Sequence, residues 1–335
     1  RVSGAYRTRL RVSGGSFHGF YKRRGKIHLK LATRGSKLAL IQTEAVAAML
    51  RSMGHTVELV VAESHGDVDK STPLSKLGVK GVFERKVDEM ILSGEADLAV
   101  HSLKDVPTDL QEGVFLAAVP ERESPYDAIV PVPLNSVPNQ ATVATGSLRR
   151  ASVIKFLRPD VKVVGIRGNV DTRIFKIRSG KADALVVAEA ALRRLGLTYG
   201  RRSRLDPKTF VPSPGQGALA VTAPERPGKD LEEVLKKLNS VKSMDETSLE
   251  RKVASDTGAG CDSPIGILAK RRSERNFLLS LSIVSPSLDR RVHFTVEDSK
   301  EDLVDKAVEG FEALGGREVV KDWRQKADTF VSETI

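Results

Sequence analysis

The sequence predicts an α/β protein built as two similar α/β domains around a cleft, followed by a small C-terminal α+β domain. Three observations carry this reading. Apolar strand-like runs alternate with amphipathic helical stretches from residue 27 to about 196. Phrases of the first half return, in the same order, in the second. After residue 240 the alternation gives way to three strand-like runs in succession and then a helix, the pattern of a small antiparallel module. At 335 residues, 40% hydrophobic and 29% charged, the chain can bury several cores without disulfides or a structural metal.

The elements follow in order. Residues 27–33 (IHLKLAT) alternate apolar and polar, as a half-buried strand does. The loop Arg34-Gly35-Ser36 leads to a helix in which Leu38, Ile41, Ala45, Ala48 and Met49 share one face, with Ser36 as N-cap and Gly54 as stop. A strand at 56–62, a helix at 82–94, a strand at 97–102 and a strand at 114–119 complete the first pass. The second pass reads strand 142–145, helix to Leu157, strand 161–166, helix 171–179, strand 183–188 and helix 189–196. The turn-rich Pro212-Ser213-Pro214-Gly215-Gln216-Gly217 precedes a strand at 218–223, where the chain crosses back. A helix at 243–256, strands at 265–270, 278–284 and 291–297, and a helix at 300–316 make the third region.

The two passes share wording. Ala32-Thr33-Arg34-Gly35-Ser36-Lys37-Leu38 is echoed by Ala144-Thr145-Gly146-Ser147-Leu148, and SGEADLAV (93–100) by SGKADALV (179–186). Duplicated α/β units bind ligands in the crevice between them, at strand carboxyl ends. The expected division is domain 1 at 27–120 and 217–238, domain 2 at 123–212 and domain 3 at 239–335, behind a basic leader at 1–26.

Charge and cysteine usage narrow the function. Residues 1–26 hold eight Lys and Arg and no acid, so the remaining chain carries only +3 of the net +11. The leader lacks an apolar period and reads as disordered. It is open to three interpretations: an organellar transit peptide, a basic arm for nucleic acid, or an extension outside the folded protein. It has no apolar core of a secretory signal. The nearly balanced body and 5% aromatic content argue against nucleic acid as a partner. No apolar run approaches the roughly 18 residues of a membrane helix. A single cysteine, Cys261, rules out an internal disulfide and multi-cysteine metal sites, and the six scattered His form no ligand cluster, so no metal is expected. P-loop, dinucleotide-binding, zincin and nucleophile-elbow motifs are absent.

Cations concentrate at predicted strand ends: Arg34, Lys104, Arg149, Arg150, Arg167 and Arg173. Surface Arg and Lys usually sit on solvated faces. Several beside Gly or Ser, at corresponding points of two similar domains, instead suit a ligand with several carboxylates or phosphates. Asp105, directly after Lys104, reads either as a turn residue before Pro107 or as a carboxylate kept ionised by its neighbours. Cys261 reads either as a buried small residue or, on its Gly-rich loop, as an exposed nucleophile.

Beyond pattern, residues 27–270 resemble the porphobilinogen deaminase (hydroxymethylbilane synthase) family. The matching pieces come in that family's order: ATRGSKLAL at 32–40, GVKGVF at 78–83, HSLKDVPT at 101–108, RESPYDA at 122–128, GSLRRAS at 146–152, RGNVDTR at 167–173, LRRLGL at 192–197, SPGQGA at 213–218 and GAGCDSPIG at 258–266. Residues 271–335 match only in layout, and 1–26 match nothing. The resemblance implies periplasmic-binding-protein-like domains and a transferase of tetrapyrrole (porphyrin, heme) biosynthesis. Its reaction joins four porphobilinogen units, with loss of ammonia, into linear hydroxymethylbilane. It implies a dipyrromethane cofactor in thioether linkage to Cys261 and Asp105 as the catalytic carboxylate. Lys104, Ser102, Thr145, Ser147, Arg149 and Arg150 would hold the cofactor, and Arg34, Ser36, Arg167, Arg173 and Gln216 the substrate. Lys80 and Phe83 would belong to a loop over the cleft. A monomer in the cytoplasm follows, with an organelle as the alternative if 1–26 is a transit peptide. The chain departs from the commoner pattern at Val79, at Ser64-His65-Gly66, at Gly146 (frequently serine) and at Ala259 (frequently glycine). A non-catalytic two-domain receptor for small anions is the competing function.

Overall fold

The computed structural model describes residues 26–62, 82–259 and 263–334. Lys80, Val79, Cys261, the segment 64–66 and the leader to residue 25 lie outside the described residues, as does the Phe83 side chain.

The first half runs β1 (His28–Thr33), α1 (Lys37–Ser52), β2 (Thr56–Val61), α2 (Val82–Leu92), β3 (Leu98–Ser102) and β4 (Val114–Ala118). The chain then enters the second half with β5 (Asp127–Val130), β6 (Thr142–Thr145), α3 (Leu148–Leu157), β7 (Lys162–Gly165), α4 (Val170–Arg178), β8 (Ala184–Ala188), α5 (Glu189–Arg194) and the two-residue β9 (Ser203–Arg204). It returns through β10 (Leu219–Pro224) and α6 (Lys229–Leu238), and the last unit is α7 (Val241–Asp256), β11 (Gly266–Arg271), β12 (Asn276–Val284), β13 (Arg291–Ser299), α8 (Leu303–Ala313) and α9 (Gly316–Thr334).

Two five-stranded sheets share one topology, β2-β1-β3-β10-β4 and β7-β6-β8-β5-β9. In each, three neighbouring strands are parallel, and the strand that arrives from the other half, β10 or β5, inserts antiparallel beside them. Each half thus completes its sheet with a strand the chain delivers on crossing over, which makes the two crossings neighbours. The expected pair of similar α/β halves is observed, with an antiparallel β11-β12-β13 sheet as the third unit.

The repeated wording is repeated structure. Ser36 caps α1 by accepting from Ala39 N at 3.3 Å, and Ser147 caps α3 by accepting from Arg150 N at 3.5 Å. Asp97 Oδ2 accepts from Lys30 N at 2.8 Å, and Asp183 Oδ2 accepts from Thr142 N at 2.7 Å, so each SG-x-AD phrase pins the start of its central strand. Both phrases turn on a left-handed glycine, Gly94 (φ 76°) and Gly180 (φ 77°).

The core of the first half packs Leu29, Leu31, Leu98 and Val221 of the sheet against Val46 and Leu50 of α1 and Val234 and Leu238 of α6. In the second half one sheet face packs on α4 and α5. The other face merges with the third unit into one apolar cluster, from Ile129, Val143 and Ile154 through Leu279 and Leu281 to Phe311 and Trp323. Four elements are not among those read from the sequence: β5, β9, α6 and α9.

At the crossings the buried Glu250 of α7 gathers four donors. Arg122 Nη1 and Nη2 donate at 2.8 and 3.0 Å, Gly215 N at 2.7 Å and Ala269 N at 3.0 Å. One carboxylate thereby ties both crossings to the third unit. Gly217 (φ 86°) lies where a Cβ would come within 2.5 Å of the carbonyl oxygens of Glu123 and Ser124, so only glycine lets the outgoing and returning segments approach this closely.

Candidate functional site

A cavity of about 960 Å³ opens between the two sheets. Its walls are the carboxyl ends of central strands, with Ser102 from β3, Thr145 from β6 and Ala188 from β8. Between them stand three helix N-termini: Ser36 and Lys37 at α1, Ser147 and Leu148 at α3, Asn169 and Val170 at α4. Unpaired N–H groups and the positive ends of three helix dipoles thus converge on one space, which favours anions before any side-chain charge is counted.

The second half supplies a sealed arginine pair. Arg149 Nη2 and Arg150 Nε donate to the two oxygens of buried Asp127, at 2.7 and 2.9 Å. Arg149 also donates from Nη1 to Val211 O at 2.8 Å and from Nε to Ser213 Oγ at 3.0 Å. Gln216 Nε2 donates to Asp127 Oδ1 at 2.9 Å and to Pro125 O at 2.8 Å, and its Oε1 accepts from Arg150 Nη2 at 3.0 Å. Burial alone would raise the Asp127 carboxyl, but Arg149, Arg150 and the Gln216 amide outweigh it and hold the group at about 2. One negative charge faces two positive ones, so the cluster carries a net cation into the cavity wall.

The first half supplies a looser set. β3 runs into a single 3-10 turn, Leu103–Asp105, which brings Lys104 and Asp105 onto the cavity wall. Lys104 is half-buried by area yet lies deep between the halves. Burial pushes its ammonium down to about 8; Arg150 and Arg149 push the same way, against Asp105 and Asp127. Arg34, between β1 and α1, reaches Glu84 of α2 with Nη1 3.4 Å from Oε1. Burial raises the Glu84 carboxyl and the nearby Asp105 charge raises it further. Ser102 Oγ accepts from Gln42 Nε2 at 2.8 Å, which leaves the serine proton to donate.

Of the residues expected from sequence, Arg34, Ser36, Ser102, Lys104, Asp105, Thr145, Ser147, Arg149, Arg150, Arg173 and Gln216 are brought together on this cavity. Arg167 is not on its wall, although Gly168 and Asn169 are. Arg149 and Gln216 are more enclosed than the sequence suggested: both are buried and spend much of their hydrogen-bonding capacity on Asp127 and the crossings. Arg173 Nε donates to Gly168 O at 2.7 Å, and its guanidinium lies over Gly146, where a Cβ would meet Nη1 at 3.3 Å and Ile166 O at 2.9 Å. Among the described residues, no group of three His, Cys, Asp or Glu is arranged to hold a metal ion, and no helix is long and apolar enough to cross a membrane.

Several wall residues were missed. Arg194 of α5 lines the cavity and donates from Nη2 to Gly217 O at 2.8 Å; it lies in the LRRLGL phrase, so the signal was present. Arg251 donates to Val106 O, Pro107 O and Thr108 O at 2.8, 2.6 and 3.3 Å, bracing the segment just after Asp105 across a span of about 145 residues that no local pattern announces. Trp323 and Arg324 bring α9 to the far side of the cavity. Ser263 and Pro264, which follow Cys261 in sequence, are also on the wall.

Comparison with known proteins gives a consistent result. The family model "Porphobilinogen deaminase, dipyromethane cofactor binding domain" matches residues 29–231. Porphobilinogen deaminase of Nitratiruptor sp. is 40% identical over 301 residues, covering 88% of this chain and 96% of that one. Porphobilinogen deaminase of Rubrobacter xylanophilus is 46% identical over 261 residues, covering 77% and 85%. Among solved structures, the Lactococcus lactis GlnP substrate binding domain 2 aligns with TM-score 0.38 at 8% identity, covering 65% of this chain and 89% of that chain. The chain belongs to the porphobilinogen deaminase family: it is a transferase of porphyrin biosynthesis with a dipyrromethane cofactor-binding domain.

Proposed function

We propose that the chain condenses four porphobilinogen molecules head to tail into linear hydroxymethylbilane, releasing one ammonia per unit, on a dipyrromethane held by a thioether to Cys261. The observation that carries this is the cationic wall where Lys104, Arg149 and Arg150 meet. Arg149 and Arg150 share the single carboxylate of Asp127, and Lys104 stands beside them with only Asp105 as a further acid, so three cations meet two carboxylates on this wall. A ligand bearing several carboxylates relieves that imbalance, and an oligopyrrole with acetate and propionate arms is such a ligand. The donor set therefore fits the cofactor. Bound there, the dipyrromethane supplies the nucleophilic pyrrole α-carbon and stays behind when product leaves.

The chain's residues divide the remaining work. Lys104, Arg149, Arg150, Thr145, Ser147 and Ser102 hold cofactor carboxylates on the pre-formed wall. Arg34, Ser36 and Arg173 orient the carboxylates of the incoming porphobilinogen, while Gln216, bonded to Asp127 and Arg150, supports the arginine pair. Asp105 stabilises the positive charge that spreads onto the substrate pyrrole as its C–N bond breaks and ammonia leaves with the bonding electrons. The same carboxylate accepts pyrrole N–H bonds and assists loss of the α-proton that restores aromaticity. Lys80 and Phe83 are assigned to the active-site loop by the family resemblance alone. A division into 27–120 with 217–238, 123–212 and 239–335 leaves the crossings as the hinge. All these residues come from one chain, so a monomer suffices, and a thiol at Cys261 suits a reducing compartment such as the cytoplasm.

The test is turnover of porphobilinogen by the purified full-length chain. One ammonia per porphobilinogen and a linear tetrapyrrole are expected, with both lost in Asp105→Ala at unchanged thermal stability. Reversible binding of porphobilinogen without ammonia release would instead identify a small-anion receptor.

A further inference from the structure

The cavity has a polarity problem that its arginines do not solve. Porphobilinogen arrives with two carboxylates and one aminomethyl group, which is an ammonium at neutral pH. A wall of Arg and Lys attracts the first and repels the second. A site that must seat the amine next to the bond to be broken needs negative charge at one defined place.

Glu84 provides it. The residue is 7% exposed and lies on the cavity wall in the first turn of α2. Four residues on, the Asp88 Oδ1 accepts from Thr222 Oγ1 at 2.7 Å and lies 2.9 Å from His101 Nε2, which anchors the same face of α2 to β3 and β10. That anchor sets the rotation of α2, and Glu84, one turn earlier on the same face, lies on the cavity wall. The groups around Glu84 come from three elements: Asp105 from the turn after β3, His101 from β3 and Arg34 from the β1–α1 loop. Burial disfavours ionisation of Glu84, and the like charge of Asp105 on the same wall adds to that. Arg34 offsets the repulsion in part, with its Nη1 3.4 Å from Glu84 Oε1. Two neighbouring carboxyls in a desolvated wall are a poor arrangement when no cation lies between them, and a good one when a cation does.

We propose that Glu84 is a specificity-determining residue that, with Asp105, receives the ammonium of the incoming porphobilinogen and so orients its aminomethyl carbon for departure of ammonia. The inference rests on the deaminase reading of this cleft. It differs from a role in holding Arg34, because Arg34 faces the substrate's carboxylates and would serve any ligand that carries them.

The experiment uses the cofactor-loaded full chain and two ligands with identical carboxylates: porphobilinogen, and the analogue in which a hydroxyl replaces the amine. For wild type, Glu84→Gln and Glu84→Asp, one measures kcat/KM for porphobilinogen and the inhibition constant of the hydroxyl analogue. Glu84→Gln should lose about tenfold in kcat/KM, as loss of a charge-assisted bond implies. Its inhibition constant for the analogue should stay within about twofold, and Glu84→Asp should recover much of the loss. Equal weakening toward both ligands would overturn the inference and leave Glu84 as a support for Arg34; no change toward either would overturn it as well. Wild-type chain that leaves porphobilinogen unconsumed would sink the deaminase reading itself, a different outcome from an active wild type with unaltered discrimination.

Discussion

In the second α/β half, Arg149 and Arg150 share the carboxylate of Asp127 at 2.7 and 2.9 Å, and all three are buried. In the first half, Arg34 makes one 3.4 Å contact to Glu84 and its side chain is 38% exposed. The two halves have the same sheet order and the same serine-capped helix at the cleft, so the difference is local rather than architectural. Buried, multiply bonded guanidiniums are pre-organised and lose little freedom when an anion docks; a half-exposed arginine retains more freedom to change partners. The comparison separates a fixed wall suited to a group that never leaves from an adaptable wall suited to ligands that come and go.

The sharpest way to break that comparison is to remove the shared acid. Asp127→Ala leaves two buried guanidiniums uncompensated and should cost about 3–5 kcal/mol in urea unfolding, whereas Arg34→Ala should cost no more than about 1 kcal/mol. Equal losses would show that the two walls are equally rigid. Next comes Asp105, which belongs to the adaptable side. Asp105→Ala should lower kcat by about 10²–10³-fold while the unfolding midpoint stays put.

Lys104, on the first-half turn that meets the fixed wall, reads out its burial there through pH. Its folded value near 8 lies below the 10.5 of an unperturbed lysine. Below pH 8 the group is protonated in both folded and unfolded chains. Between about 8 and 10.5 the unfolded chain retains a proton that the folded one has released, so stability of the ligand-free protein should rise with pH there. Lys104→Met should remove that rise, measured as the difference between the two proteins' pH profiles. A bound polycarboxylate favours the charged lysine, so cofactor loading should take up a proton above pH 8 and weaken as pH climbs. The smallest effect concerns Gly146. A serine there brings its Cβ to 2.9 Å from Ile166 O and 3.3 Å from the Arg173 guanidinium, so Gly146→Ser should displace both that carbonyl and that arginine and change KM by about two- to threefold. An unchanged KM would remove Arg173 from substrate contact.

Much of this architecture was legible because it is periodic or repeated. Alternation in 27–33 and the Ser36 cap report local structure that the sequence predicts, and the two SG-x-AD phrases, read as a repeat, prove to be repeated structure. The losses have physical causes. β5 is buried on both faces and begins with Asp127, so it shows neither alternation nor a long apolar run. Gly315 (φ 70°) does end α8, but α9 starts at once with Gly316, and the pair read as a stop although Val319, Val320, Trp323 and Phe330 keep helical spacing beyond it. In the site, cations were visible because each lies in a motif that contains Gly or Ser. Their partners were not, because Asp127, Gln216 and Arg150 meet only after two chain crossings, and Glu84 reaches Arg34 across 50 residues.

The central claim is that the fixed wall holds a covalent cofactor on Cys261. It is tested most directly by the intact mass of the purified protein with peptide mapping. The account predicts an increment of two linked pyrrole units on the peptide containing Cys261, appearing in a cofactor-free preparation on incubation with porphobilinogen and never in Cys261→Ser. An enzyme that turns over porphobilinogen while Cys261 stays unmodified would contradict it.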